Sequence, residues 1–204
     1  MRVLVIDYGM GNLGSVGRTL QECGADIIFT TNPSDICKSE KIILPGVGAF
    51  PDGMAALQSN GWVDALKSAI NKEDKHILGI CLGMQLLATK SFEGKETEGL
   101  DLISGEVHKL APLNDDTRIP HVGWNEVKIA RENKLLSGIG DGTDFYFVHS
   151  FHFIPNNERQ IIAKTPYCGE FVSAINSEKV YGVQFHPEKS SRAGLRLLDN
   201  FLRL

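Results

Sequence analysis

The sequence predicts an α/β fold: a mainly parallel central sheet flanked by helices, with antiparallel additions in the second half. Three observations carry this expectation. Short apolar runs alternate with stretches of helical period through the first half of the chain, which is the rhythm of βαβ units. Beyond Gly105 that rhythm gives way to short strand candidates divided by turn residues, a pattern that suits antiparallel pairing. A chain of 204 residues with 42% hydrophobic content is long enough to bury a sizeable core in one domain.

Taken in order, Arg2–Asp7 carries Val3-Leu4-Val5-Ile6 and reads as a strand. Asn12–Gly24 sets Leu13, Val16, Leu20 and Cys23 along one stripe, the spacing of a helix with one buried face. Ile27–Thr30 and Lys41–Leu44 read as strands, and Asp52–Gln58 and Trp62–Asn71 as helices. Ile77–Ile80 is a strand followed directly by a helix over Leu82–Lys90. Glu106–Leu110, Glu126–Ile129, Phe145–Val148, Ile161–Lys164, Phe171–Ile175 and Val180–Val183 are the later strand candidates. A closing helix, Ala193–Leu202, offers Leu197, Leu198 and Phe201 to the core. With no internal repeat, low-complexity tract or linker, a single domain over residues 1–204 is expected.

Composition narrows the function. A formal net charge of -4 gives no basic surface for nucleic acid. No apolar stretch is long enough to cross a bilayer, and no leader precedes the first strand, so a cytoplasmic location is expected. The four cysteines lie at irregular spacing without a Cys-x-x-Cys pair, which argues against a disulfide framework and a structural zinc site. No His/Glu cluster has zinc-binding spacing, so no metal is expected. Gly9-Met10-Gly11-Asn12-Leu13-Gly14 has its glycines at the wrong offsets for a dinucleotide fingerprint. Pro45-Gly46-Val47-Gly48 lacks the Gly-Lys-Ser/Thr ending of a phosphate loop. No cofactor is expected.

What remains is a nucleophile with its helpers. Gly79-Ile80-Cys81-Leu82-Gly83 follows an apolar strand and is the cysteine form of the nucleophile elbow, where small flanking residues let the chain turn sharply into a helix. The positive end of that helix would favour the Cys81 thiolate, and the Leu82 N–H would face a developing oxyanion. His186-Pro187-Glu188 follows another apolar strand. Proline biases His186 to extended backbone, and residues two apart in an extended segment share a face, so Glu188 could orient the imidazole. The loop carrying Val47 closes the strand Lys41–Leu44 and is a candidate second arm of the oxyanion hole. Cys23, Cys37 and Cys168 read as small, partly buried residues. His76, His108, His121, His149 and His152 lack such a pairing and read as structural or exposed. The chain reads as an enzyme.

The cysteine elbow, the Pro-Gly-Val-Gly loop and the His-Pro-Glu segment, in this order, resemble the class I (triad-type) glutamine amidotransferases. The resemblance covers nearly the whole chain. It includes Asp7-Tyr8-Gly9-Met10-Gly11-Asn12, Leu44-Pro45-Gly46-Val47-Gly48-Ala49-Phe50, Gly79–Leu87, Pro120-His121-Val122-Gly123-Trp124-Asn125, Tyr146-Phe147-Val148-His149-Ser150 and Gly182–Ser190. It implies a flavodoxin-like fold and a reaction. Cys81 attacks the side-chain amide of glutamine, His186 passes the proton to the leaving ammonia, Glu188 holds His186, and water releases glutamate. It also implies that Gly48, Gln85, Glu93, His149, Ser150 and Phe151 line the glutamine pocket. Asn12, Trp124, Asn125 and Lys189 match family positions at the interface with a (β/α)8 cyclase. That partner forms a heterodimer with the glutaminase and receives its ammonia through a dry channel, forming imidazole glycerol phosphate and aminoimidazole carboxamide ribotide in histidine biosynthesis. The alternatives are a glutaminase serving a surface-polysaccharide sugar amidotransferase, a γ-glutamyl peptidase, and a non-catalytic scaffold subunit. The β-branched Val47 resists positive φ, so its peptide is expected to point away from the site until a partner binds.

Overall fold

The computed structural model describes residues 1–71, 74–112 and 118–204. Its larger sheet begins with β1 (Arg2–Ile6), β2 (Asp26–Thr30), β3 (Lys41–Leu44) and β4 (His76–Ile80). These run parallel in the order β2-β1-β3-β4, and β4 pairs in parallel with β13 (Val180–Val183). Beyond β13 the sheet turns antiparallel through β12 (Phe171–Ser177), β11 (Ile161–Thr165), β8 (His121–Ile129) and β9 (Thr143–His149). A smaller sheet has the order β10 (Phe151–Pro155), β7 (Gly105–Lys109), β5 (Lys90–Ser91), β6 (Thr97–Glu98). The helices are α1 (Leu13–Glu22), α2 (Phe50–Ser59), α3 (Trp62–Asn71), α4 (Leu82–Leu86) and α5 (Ser191–Leu202).

The continuous apolar runs of the central strands follow from burial on both faces. Along β1, Val3 and Val5 join a cluster with Val16, Leu20, Leu197 and Phe201, so α1 and α5 cover that face. Leu4 and Ile6 point the other way, into a cluster with Phe50, Trp62, Leu66 and Leu86 from α2, α3 and α4. Asn12 caps α1, its side-chain oxygen accepting from Ser15 N at 3.4 Å. Among the described residues, no helix is long and apolar enough to cross a membrane.

Several boundaries differ from the sequence expectation. The helix after Cys81 ends at Leu86 rather than Lys90. The carbonyls of Leu86, Leu87 and Ala88 accept instead from the N–H groups of Leu100, Leu102, Ile103 and Asp101, so the returning chain replaces the next helical turn. The segment Ser91–Gly99 is partly ordered as the β5–β6 hairpin. α2 starts at Phe50, two residues before Asp52. β8 begins at His121, well before Glu126, and pairs with β9 without interruption from His121↔His149 to Val127↔Thr143. Gly123, at φ +137, sits inside that strand. β10 and a 3-10 helix over Pro33–Lys38 were not expected from local pattern.

Two glycines of the elbow are fixed by packing. A Cβ on Gly83 would strike the Leu44 carbonyl, and one on Gly79 the Gly83 carbonyl. The turn therefore closes only where β3, β4 and α4 approach backbone to backbone. Gly194 plays a similar part in α5, where a Cβ would meet the backbone of Pro187. Because Pro187 lies between His186 and Glu188, Gly194→Ala should destabilise the chain by about 1–3 kcal/mol, the usual cost of overpacking, and should also lower activity. Urea denaturation and a glutaminase assay on the same preparation check both effects.

Candidate active site

The site lies at the carboxyl ends of β3, β4 and β13, where open α/β sheets hold their ligands. Cys81 sits between β4 and α4, at the N-cap of the helix, with φ +54 and ψ -111, a conformation that is rare for a residue with a side chain. Three backbone hydrogen bonds impose it. Cys81 N–H donates to the Val183 carbonyl at 2.8 Å, and the Cys81 carbonyl accepts from Met84 N at 3.0 Å and Gln85 N at 3.3 Å. Cys81 is thereby held at the head of the helix, and the Leu82 N–H that follows it has no acceptor one turn earlier. Cys81 is only 6% exposed.

His186 is placed by its neighbours on the chain. Its N–H donates to the Tyr146 carbonyl at 2.8 Å. Its carbonyl accepts from Ser190 Oγ at 2.6 Å, and that hydroxyl in turn accepts from Tyr146 N at 3.0 Å. Glu188 Oε1 lies 2.8 Å from His186 Nδ1. A carboxylate can only accept, so Nδ1 carries a proton and Nε2 is the atom facing the chemistry. The reach of Glu188 does not come from an extended segment, as the sequence suggested. His186 is extended (φ -101, ψ 94), but Glu188 sits in a 3-10 turn over Pro187–Lys189 that brings its carboxylate back under the ring.

Burial alone would lower the His186 pKa, but interactions with Cys81 and Glu188 outweigh it and raise it to about 10. Nε2 makes no hydrogen bond at rest, so the influence of Cys81 is best read as charge across a short gap. The raised value favours the protonated ring beside the Cys81 sulfur. Tyr8, whose hydroxyl donates to the Pro45 carbonyl at 2.8 Å, has its pKa pushed up by burial first and by Cys81 second.

One cavity of about 260 Å³ is lined by Val47, Gly48, Cys81, Leu82, Gln85, Glu93, Val148, His149, Ser150, Phe151 and His186. It gathers every residue proposed from sequence for the oxyanion hole and the glutamine pocket. Several are already engaged with the fold. Gln85 Nε2 donates to the Phe151 carbonyl at 2.8 Å and to Gln184 Oε1 at 3.0 Å. Glu93 Oε2 accepts from Phe50 N at 2.8 Å, tying the β5–β6 turn to the first turn of α2. Val47 has no positive φ; the unusual angle falls on Gly48, at φ +115.

The interface candidates separate. Trp124 is 54% exposed, beside Val122 and Val148, with its ring edge-on to Tyr146. The Lys189 ammonium stands 5.4 Å over the Tyr146 ring. These residues form an apolar face with a charged rim at the mouth of the cavity. Asn12 lies in a narrow cleft with Val47 and Glu188. Asn125 does not share the Trp124 face, because alternation along β8 turns it inward. Its Nδ2 lies 3.2 Å from His121 Nε2 and donates to the Pro166 carbonyl at 3.2 Å, so its side chain is engaged with the fold.

Sequence reasoning missed Gln184, Val148 and Tyr8. The signal for Gln184 was a lone amide closing the apolar run Val180–Val183. His121 and His149 are linked as well, Nδ1 to Nε2 at 3.1 Å, with the His149 Nδ1 on the Phe151 carbonyl at 2.9 Å. Burial lowers the pKa of His121 to about 4, of His149 to about 3 and of His152 to about 4. The unfolded chain binds more protons than the folded one between those values and the ordinary histidine value. The stability these three rings contribute is therefore full above roughly pH 6.5 and is lost as pH falls toward 4, whereas the share from His186, raised to about 10, is lost as pH rises from 6.5 toward 10. The unfolding free energy from urea titration should drop by several kcal/mol between pH 7 and pH 5, about 2 kcal/mol for each ring, and a His152→Gln variant should show a shallower decline.

A family model for glutamine amidotransferase class-I matches residues 4–204. The imidazole glycerol phosphate synthase subunit HisH of Moorella thermoacetica is 47% identical, over 98% of this chain and 93% of its own length. The protein of that name from Aquifex aeolicus is 44% identical, over 100% of this chain and 97% of its own. Among solved structures, Thermotoga maritima PurLQS superposes with a TM-score of 0.78 at 17% identity, covering 99% of this chain and 97% of the matched chain. A structure described as a glutamine amidotransferase gives 0.77 at 17% identity, covering 98% and 97%. At such identity these structures speak for the fold alone. The chain belongs to the class-I glutamine amidotransferase family, and within it to the group of imidazole glycerol phosphate synthase HisH subunits.

Proposed function

We propose that this chain hydrolyses glutamine to glutamate and ammonia at Cys81 and hands the ammonia to a (β/α)8 cyclase in histidine biosynthesis. The observation that carries the reading is the single cavity holding Cys81 and His186 together with Gly48, Gln85, Glu93 and the His149–Phe151 backbone. A glutamine side chain entering it would meet Sγ with its amide carbon. Attack forms a C–S bond and an oxyanion, which the Leu82 N–H faces. The His186 proton passes from Nε2 to the departing nitrogen, and ammonia leaves as the thioester forms. Water attacks the thioester, losing its proton to His186, and glutamate is released with the thiolate restored. Glu188 holds the tautomer and steadies the charged ring throughout.

Support for the partner comes from the relatives' names and from the apolar face of Val122, Trp124 and Val148 at the cavity mouth, since contiguous exposed apolar patches mark interaction sites. Lys189 at its rim would meet an acidic group on the partner. Ammonia released into bulk water would be protonated and useless as a nucleophile, which favours transfer across a closed interface. A reducing cytosol suits an enzyme whose cysteines are free thiols.

Val47 supports a gated oxyanion hole. With its φ negative, turning the Gly46–Val47 peptide inward requires the partner's help. Loss of one oxyanion donor costs about 100- to 1000-fold. The isolated chain should therefore release glutamate slowly, and addition of the cyclase with its ribonucleotide ligand should accelerate it by about that factor. Val47→Gly should raise the activity of the isolated chain about tenfold or more and shrink the activation ratio; an unchanged ratio would refute the gate. Cys81→Ala should abolish glutamate release, and Glu188→Gln should lower it by roughly 1000-fold or more. Brisk hydrolysis by the unmodified chain alone would favour an independent hydrolase instead.

A further inference from the structure

The polar groups around Cys81 form a line whose direction is set by one backbone carbonyl. The Phe151 carbonyl can only accept, so Gln85 must present its amide nitrogen there, at 2.8 Å. The Gln85 amide, held that way round, directs its second N–H to Gln184 Oε1 at 3.0 Å. Gln184 is left with Nε2 toward Cys81 Sγ, at 3.7 Å. Reversing Gln184 alone would set two amide nitrogens against each other and a carbonyl against the sulfur. Reversing both amides would break the bond to Phe151. Gln184 is fully buried, at 0% exposure, and its own N–H is bonded to the Ser173 carbonyl at 2.9 Å, so neither its position nor its orientation is free.

We propose that Gln184 is a further catalytic residue, whose fixed amide N–H donates to the Cys81 sulfur and stabilises it as the thiolate. The opposite neighbour of the sulfur explains the need. Sγ also lies 3.9 Å from the Val148 carbonyl, an acceptor that favours the protonated thiol and repels the anion. The titratable groups around Cys81 are His186, with Glu188 behind it, Tyr8, and, lining the same cavity, Glu93 and the neutral His149. An amide suits the task because it never ionises. It supports the anion without competing for the proton that His186 must deliver, and its hold weakens once the sulfur loses its charge in the thioester.

This role rests on Cys81 being the nucleophile, and thiol alkylation separates the two claims. Iodoacetamide would be applied to the full chain from pH 5 to pH 9, with peptide mass mapping to resolve Cys81 from Cys23, Cys37 and Cys168. Gln184→Met removes the donor at similar length. Gln184→Glu keeps the acceptor for Gln85 but turns an oxygen toward the sulfur. Both should shift the Cys81 alkylation profile to higher pH and slow alkylation at pH 6 by about tenfold or more, the weight of a hydrogen bond to a charged group. Rates at the alkaline plateau should stay close to those of the parent. If the parent Cys81 reacts no faster at pH 6 than the other thiols, the nucleophile assignment itself falls. If the parent is reactive and either folded variant titrates as it does, the Gln184 role falls and the nucleophile stands. Should the Met variant fail to fold, judged by circular dichroism, the isosteric Glu variant decides.

Discussion

The strained turn at Cys81 is the constraint on which the rest of the site depends. A residue with a side chain at φ +54 and ψ -111 stands at a cost of order 1–3 kcal/mol and persists only where its surroundings over-determine it. Here β13 supplies the Val183 carbonyl, α4 supplies two N–H donors, and Gly79 and Gly83 allow β3, β4 and α4 to approach without side chains between them. The reward is a sulfur at the mouth of a helix. Filling the turn with any larger residue would push β3 away and, with it, the loop that carries Val47 and Gly48.

Around that turn the protein keeps its buried polar groups neutral except where charge is used. The Phe151 carbonyl sets the direction of hydrogen bonds through Gln85 and Gln184 on one side and His149, His121 and Asn125 on the other. Because His149 donates to that carbonyl, its other nitrogen accepts from His121, whose own second nitrogen accepts from Asn125. Both rings are thereby fixed as neutral tautomers, in agreement with their lowered pKa values. His186 stands apart because the Glu188 carboxylate and the Cys81 sulfur face it, and the same burial that silences the other rings strengthens these two interactions.

Much of this was legible in the chain itself. The alternation of apolar runs and helical stripes gave the parallel half of the sheet, since those elements are local and their burial is two-sided. The elbow and the His-Pro-Glu string were readable because nucleophile, glycines, base and orienter lie within short stretches whose chemistry is unusual together. The second half was less so. β10, the β5–β6 hairpin and the first residues of β8 are held by partners distant in sequence. The end of α4 was also invisible, because its last carbonyls are satisfied by residues Leu100–Ile103 rather than by a capping signal.

Residue type and short-range spacing alone pointed to the chemistry of the site: a thiol at the start of a helix, an imidazole, a carboxylate and a glycine loop. The folded chain was needed to see which nitrogen of His186 faces the sulfur, that Glu188 arrives from a 3-10 turn, that Asn125 points inward while Trp124 points outward, and that Gln184 touches Cys81. Each of these depends on contacts between segments far apart along the chain, and direction in a hydrogen-bonded line is fixed by its anchor, here the carbonyl of Phe151, not by the residues that make it up.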